Sequence, residues 1–231
     1  MRLVAEPYIK KQSTKKIMST WILLLVVIAV VGAMVPNGNR RKGSAKAKGR
    51  AGENSVILMK KLFLDSKIYI DINDVTLQTP TGTTQIDHII VSKFGIFVVE
   101  TKNMSGWIFG SPSQSNWTQS LPGGKKFRFQ NPLHQNYKHT KTLETFLGID
   151  HDFIHSVVMF VGETKFKTPM PANVMDSGFI SYIKSKTNIL FSDYEVERMV
   201  LAIRNGMMPK SEQTRREHVE SLNAKHHRNI H

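Results

Sequence analysis

The sequence predicts an α/β domain of about 155 residues carried behind a single apolar helix. Three observations lead there. Residues 17–35 contain no charged side chain. Residues 85–102 form two strongly apolar β-runs with only Lys93-Phe94-Gly95 between them. Asn131-Pro132 then opens a helical segment, followed by an apolar strand and two further helices. Strands and helices in this order belong to α/β or α+β architecture.

The N-terminus comes first. Trp21 to Val35 reads WILLLVVIAVVGAMV, and Ile17 to Thr20 extend it without charge. A helix of that length covers roughly 28 Å, close to the ~30 Å hydrocarbon core of a bilayer. Trp21 suits an interfacial anchor, and Pro36-Asn37-Gly38 ends the helix. The same run also fits a signal peptide with a small-residue site at Val31-Gly32-Ala33. Residues 1–50 hold 11 Lys or Arg against the single acid Glu6, so they carry most of the net charge of +14. The remainder of the chain is only mildly basic, and bulk charge gives no argument for nucleic acid. The block Arg40, Arg41, Lys42, Lys46, Lys48, Arg50 is the tighter of the two flanks, which places the main domain in the cytoplasm of a single-pass membrane protein. The chain thus divides into a basic segment 1–16, a transmembrane helix 17–36, a basic linker 37–51, a domain 52–206 and a polar tail 207–231. There is no cysteine, which excludes disulfides, a thiol nucleophile and thiolate metal sites.

Within the domain, Gly52 to Leu64 has helical spacing. Ile68–Ile72 and Val75–Leu77 read as short strands. Gln85–Ser92 and Ile96–Lys102 make a hairpin, apolar on both faces as in the middle of a sheet. Gly106–Gly110, Trp117–Leu121 and Lys126–Phe129 are further short strands. Asn131 caps a helix with Pro132 at its first position, and Gly148 stops it. His155–Val161 is a strand, and Ser177–Ser185 and Asp193–Arg204 are helices. The tail reads as a mobile or weakly helical extension.

Three ionisable residues interrupt the apolar hairpin: Asp87, Glu100 and Lys102. Glu100 and Lys102 are two apart and share a strand face. A turn on Lys93-Phe94 pairs Ser92 with Gly95 and sets Asp87 opposite Glu100, about 5 Å away between Cβ atoms; a four-residue loop gives the same register and a three-residue loop would shift it. Two carboxylates facing each other in a dry sheet need a proton, a cation or a metal. Oxygen-only ligands favour Mg²⁺ or Mn²⁺. An ion held there polarises a phosphoryl oxygen and activates water, and Lys102 would hold the water or offset phosphate charge. The same three residues would also serve as solvated charges at the ends of an exposed hairpin.

Several segments together resemble one family. The run Gln85-Ile-Asp-His-Ile-Ile-Val-Ser-x-Phe-Gly-Ile-Phe-Val-Val-Glu-Thr-Lys-Asn103, with Gly52-Glu53, Gly106, Trp117-Thr-Gln119 and Phe129-x-Asn-Pro-x-x-Gln-Asn136, looks like the nuclease-related domain (NERD) family of the PD-(D/E)xK superfamily. The resemblance implies a restriction-endonuclease-like mixed β-sheet flanked by helices. It implies metal-binding roles for Asp87 and Glu100, a catalytic role for Lys102, an acid on the first helix, Glu53, completing the site, and Gln135 facing it. Ile86 stands where the superfamily name has proline. The expected activity is Mg²⁺-dependent hydrolysis of nucleic acid, DNA or RNA; the alternative is a non-catalytic nucleic-acid- or protein-binding scaffold on the same fold.

The other polar residues are weaker candidates. His88 points away from Asp87 and is expected to pack. His134 and His139 are expected on a helix surface, and His218, His226, His227 and His231 in a solvated tail. Lys125, Lys126 and Arg128 alternate with Phe127 and Phe129, which fits either cations on a phosphate backbone or an ordinary strand with one wet face.

Overall fold

The computed structural model describes residues 45–228. The expected basic segment 1–16, the membrane helix 17–36 and the first part of the linker lie outside these residues. Among the described residues no helix is long and apolar enough to cross a membrane.

Helix α1 spans Ala45–Phe63, so residues 45–51 of the expected linker are helical. Ala, Lys and Arg are strong helix formers, and the amphipathic turns after Gly52 give the helix a surface to dock on. The two short strands expected around residues 68–77 are one strand, β1 (Ile70–Thr79), which passes through Asp74 at φ 54°. Asp tolerates this left-handed region better than most residues, and Gln85 Nε2 donates to Asp74 Oδ1 at 2.6 Å. Strands β2 (Gly82–Ser92) and β3 (Gly95–Asn103) follow as an antiparallel meander. Their register runs from Ser92–Gly95 to His88–Val99, as a turn on Lys93-Phe94 requires.

The chain then leaves this sheet. Strands β4 (Gly106–Phe109), β5 (Asn116–Ser120) and β6 (Lys126–Gln130) build a second sheet. Helix α2 (Pro132–Leu147) crosses back to β7 (Ile154–Val161), parallel to β3. A crossover helix is what a parallel neighbour needs. Strand β8 (Thr164–Phe166) joins the second sheet and β9 (Val174–Met175) the first. Helices α3 (Phe179–Lys184), α4 (Asp193–Gly206) and α5 (Glu212–Arg228) close the chain. The result is a mixed α/β fold with two mixed sheets, β1-β2-β3-β7-β9 and β6-β5-β4-β8, where one sheet was expected.

Both faces of the first sheet are covered, which explains its continuous apolar strands. On one face Ile89, Val91, Ile96 and Val98 pack with Leu143 of α2 and Val196, Met199, Val200 and Ile203 of α4. On the other, Ile90, Phe97, Val99, Val157 and Met159 pack with Val56 of α1 and Phe179 and Ile183 of α3. Each such side chain contributes about 1.5–3 kcal/mol of burial. Asn136 fixes α2 on the sheet: its amide donates to Val98 O (2.9 Å), Ser156 Oγ (2.9 Å) and Val157 O (3.1 Å). The caps fall where the sequence put them, with Asn131 Oδ1 accepting from Leu133 N and Gly148 left-handed at φ 64°.

Of the two forms expected for the polar tail, mobile or weakly helical, the structure has a helix, the 17-residue α5. Met208 N donates to Thr76 O on edge strand β1 at 2.9 Å, and His218 Nδ1 lies 2.9 Å from Thr83 Oγ1. Hydrogen bonds to β1 and β2, invisible in the tail's own composition, hold it.

Candidate active site

The site is built where the β2–β3 ladder stops. Beyond His88–Val99, Thr101 N–H donates at 2.9 Å to Asp87 Oδ2. The Asp87 carboxylate thus takes up a β3 amide at the point where the strands part. By the register, Asp87 lies opposite Glu100. Glu100 is only 3% exposed. Its Oε1 is 2.7 Å from Lys102 Nζ, and Lys102 Nζ also donates to Gln135 Oε1 at 2.8 Å. One strand face and one helix face therefore converge, as the i, i+2 spacing on β3 and the position of Gln135 one turn into α2 dictate.

The two acids are driven apart in acidity. Asp87 has its pKa pushed up from 3.8 to about 7, first by burial and then by the charge of Glu100; Glu53 adds to the rise, while Thr101 N–H and Lys102 oppose it. Burial also opposes ionisation of Glu100, but His139 and Lys102 outweigh it and hold Glu100 below the usual carboxylate range. One acid that favours its proton beside one that stays charged is the usual resolution of a crowded carboxylate pair.

Glu53 reaches this pair from α1. Gly52 allows it: a Cβ there would stand 2.6 Å from Val161 Cγ2 and 2.8 Å from Asn103 Cβ, so only glycine lets the helix lie this close to the ends of β7 and β3. Glu53 acts on Asp87 through space. The structure thus brings Asp87, Glu100, Lys102 and Gln135 into one cluster, with Glu53 at its edge. Among the described residues, no group of three or more His, Cys, Asp or Glu side chains stands ready as a metal cage. What fits a hard cation is the Asp87–Glu100 carboxylate pair. Glu100 Oε2 is buried without a close hydrogen-bond partner, which leaves it open to such an ion.

His139 was expected on the helix surface and is instead buried in the site. Its Nε2 lies 3.5 Å from Glu100 Oε2, an electrostatic contact longer than a normal hydrogen bond. Its Nδ1 is 2.8 Å from Thr84 Oγ1. In the tautomer in which Thr84 donates to Nδ1, the Nε2–H faces Glu100. One signal in the sequence pointed here: His139 is four residues after Gln135 and shares its helix face. His134 is exposed, and its Nε2 lies 2.9 Å from Pro112 O.

His88 does point to the opposite face. Its Nδ1 is 2.6 Å from Asn73 Oδ1, and burial with the nearby Lys60 charge lowers its pKa to about 3. Lys60, 2% exposed, pairs there with Asp71 and Asn73. Burial lowers its pKa to about 8, despite the opposing pull of Asp71. This second polar cluster had no signature beyond a lysine at a core position of α1.

The site thus lies in a mixed sheet between helices, where an Asp and a Glu-x-Lys meet at the end of a β-hairpin. Residues 48–161 match the family model described as "Nuclease-related domain", a span that includes Glu53, Asp87, Glu100, Lys102, Gln135 and His139. The chain is similar to an uncharacterized protein of Bacillus anthracis, 47% identical over 131 residues, or 55% of this chain and 58% of the relative. The chain therefore matches little more than half the length of that relative. No solved structure matches it.

Proposed function

We propose that this protein is a membrane-anchored, Mg²⁺- or Mn²⁺-dependent nuclease of the PD-(D/E)xK type that hydrolyses phosphodiester bonds in DNA or RNA. The observation that carries this reading is the coupled pair Asp87–Glu100 with Lys102 on Glu100. Asp87 and Glu100 would hold the ion, with Glu53 behind Asp87. A divalent ion at such a site polarises a phosphoryl oxygen and acidifies a bound water. Lys102 presents an ammonium group where charge builds on the phosphate. Gln135 holds that ammonium by a hydrogen bond, which fixes its aim. His139 keeps Glu100 charged and still. Residues 17–36 would anchor the chain as a single-pass span, with residues 52–206 in the cytoplasm.

The test is cleavage of plasmid DNA and of RNA with Mg²⁺ or Mn²⁺. Activity should appear with metal and fall at least 10²-fold in Asp87→Ala and in Glu100→Ala. Activity that survives both substitutions rejects the mechanism.

One observation favours a second reading, a non-catalytic nucleic-acid- or protein-binding scaffold. Glu100 already pairs with the Lys102 ammonium at 2.7 Å, so the site can stand without a metal. Calorimetric titration with Mn²⁺ separates the two readings. Binding that is lost in Asp87→Asn favours the enzyme, and no binding favours the scaffold.

A further inference from the structure

We infer that the outer face of the second sheet binds single-stranded nucleic acid, by stacking bases on Trp107 and Phe109 between two lines of cations.

The face follows from alternation. In β4, Ile108 is fully buried, whereas Trp107 is 50% and Phe109 36% exposed. The register sets two rows across the sheet. Lys126 pairs with Ser120, Ser120 with Trp107, and Trp107 with Lys165. Arg128 pairs with Thr118, and Thr118 with Phe109. Residues directly opposed share a face, so the first row sets Trp107 between Lys126 and Lys165, and the second runs from Arg128 on the rim to Phe109. Lys167, next after Phe166 of β8, places its Nζ 4.5 Å from the Trp107 ring centre. The inner face, by contrast, is apolar and buried at its centre. Ile108 and Trp117 pack there on Phe160 of β7, with Phe129 and Phe166 against them.

The chemistry of the face selects its partner. Its four strands contain no Asp or Glu; the nearest acid in sequence, Glu163, precedes β8. Lys126, Arg128, Lys165 and Lys167 are all exposed. A cleft of about 630 Å³ opens on the same side, between Phe109, Thr118 and Arg128. A surface with only positive charge attracts a polyanion. Two exposed aromatics about 7 Å apart along one strand require flat π-surfaces as well, which rules for unpaired bases over a stacked duplex. Four-stranded sheets with exposed aromatics are an established mode of single-strand recognition. Trp107 is five residues beyond Lys102, so a strand held here lies within about 18 Å of the candidate active site along the chain. The face rests on the nucleic-acid reading for its class of ligand, and requires neither metal nor catalysis.

The experiment is fluorescence anisotropy with the full chain in non-ionic detergent and EDTA, against labelled dT20, rU20 and a 20-base-pair duplex. The chelator removes any cleavage, so the result does not depend on the active site. At least one single strand should bind more tightly than the duplex. Trp107→Ala should weaken single-strand binding at least about fivefold, with an unchanged melting temperature, and Trp107→Phe should restore most of the loss. The Lys126→Ala/Arg128→Ala pair should reduce the slope of log K against log salt by about 1.4. Unchanged affinity in Trp107→Ala, or a duplex bound as tightly as the tighter of the two single strands, overturns the inference. Neither result bears on metal-dependent cleavage, which the Asp87 and Glu100 variants test separately.

Discussion

Replacing Asp87 by Asn should stabilise the metal-free protein, and by an amount that grows with pH. The half-buried carboxyl has its pKa raised from 3.8 to about 7. At about 1.4 kcal/mol per unit, the cost of charging it in the folded state has a ceiling of roughly 4 kcal/mol. The folded state binds the proton more tightly than the unfolded chain, so stability is lost as pH rises. The loss is absent below about pH 4, accumulates between pH 4 and 7, and is complete above 7. The neutral amide of the Asp87→Asn variant would carry no such cost, and its oxygen can still accept Thr101 N–H. Solvent and relaxation around a partly exposed group discount the ceiling, which leaves about 2 kcal/mol at pH 8. For a domain of this size that is a gain of roughly 4–8 °C in Tm. The assay is urea unfolding of residues 45–231 in EDTA at pH 4.5, 6 and 8, wild type beside Asp87→Asn. The gap between the two should widen with pH. At pH 8, Mn²⁺ at a hundred times Kd should stabilise wild type by about 2.7 kcal/mol and so close or reverse the gap, since only wild type keeps both carboxylates. A gap that does not change with pH would mean that Asp87 is not buried against Glu100, and would undo the site.

Other outcomes follow from the same contacts. Gln135→Ala should leave the fold intact, within about 0.5 kcal/mol, while lowering kcat more than it alters KM, because it frees the Lys102 ammonium; steady-state cleavage kinetics check this. His139→Ala should raise the pKa of Glu100, since His139 helps hold it down, and weaken Mn²⁺ binding at pH 6 more than at pH 8, as calorimetry would measure. Asn136→Ala should cost about 2–4 kcal/mol by urea unfolding, because three hydrogen bonds joining α2 to β3 and β7, two of them buried, are lost. Gly52→Ala should cost about 1–3 kcal/mol through the clash with Val161 and Asn103, and should cut activity by moving Glu53 away from Asp87.

The hairpin was legible because its information is local. A turn of two residues fixes the register, and the register fixes which side chains meet. Asp87 facing Glu100, Lys102 beside Glu100, and α2 running from Asn131 to Gly148 all follow from spacing, capping and alternation. His139 was not legible. Its burial depends on how closely α2 lies on β3, which Asn136 sets through contacts with two strands that are 59 residues apart at Val98 and Val157. The choice between a mobile and a helical tail was not legible for a similar reason: Met208 and His218 are held by β1 and β2, more than 130 residues earlier.

By itself, the sequence determined the local elements and the chemistry they carry: an apolar run long enough for a membrane, an Asp and a Glu-x-Lys on paired strands, a capped helix after them. Tertiary structure alone decided that the short strands 106–130 leave the first sheet to form a second, with Trp107 and Phe109 turned outward. It alone decided that burial and Glu100 raise the pKa of Asp87 while His139 and Lys102 hold that of Glu100 down. Period and spacing say which way a side chain points from its own backbone. What stands opposite it, and how much water remains between them, is set by parts of the chain that meet only when it folds.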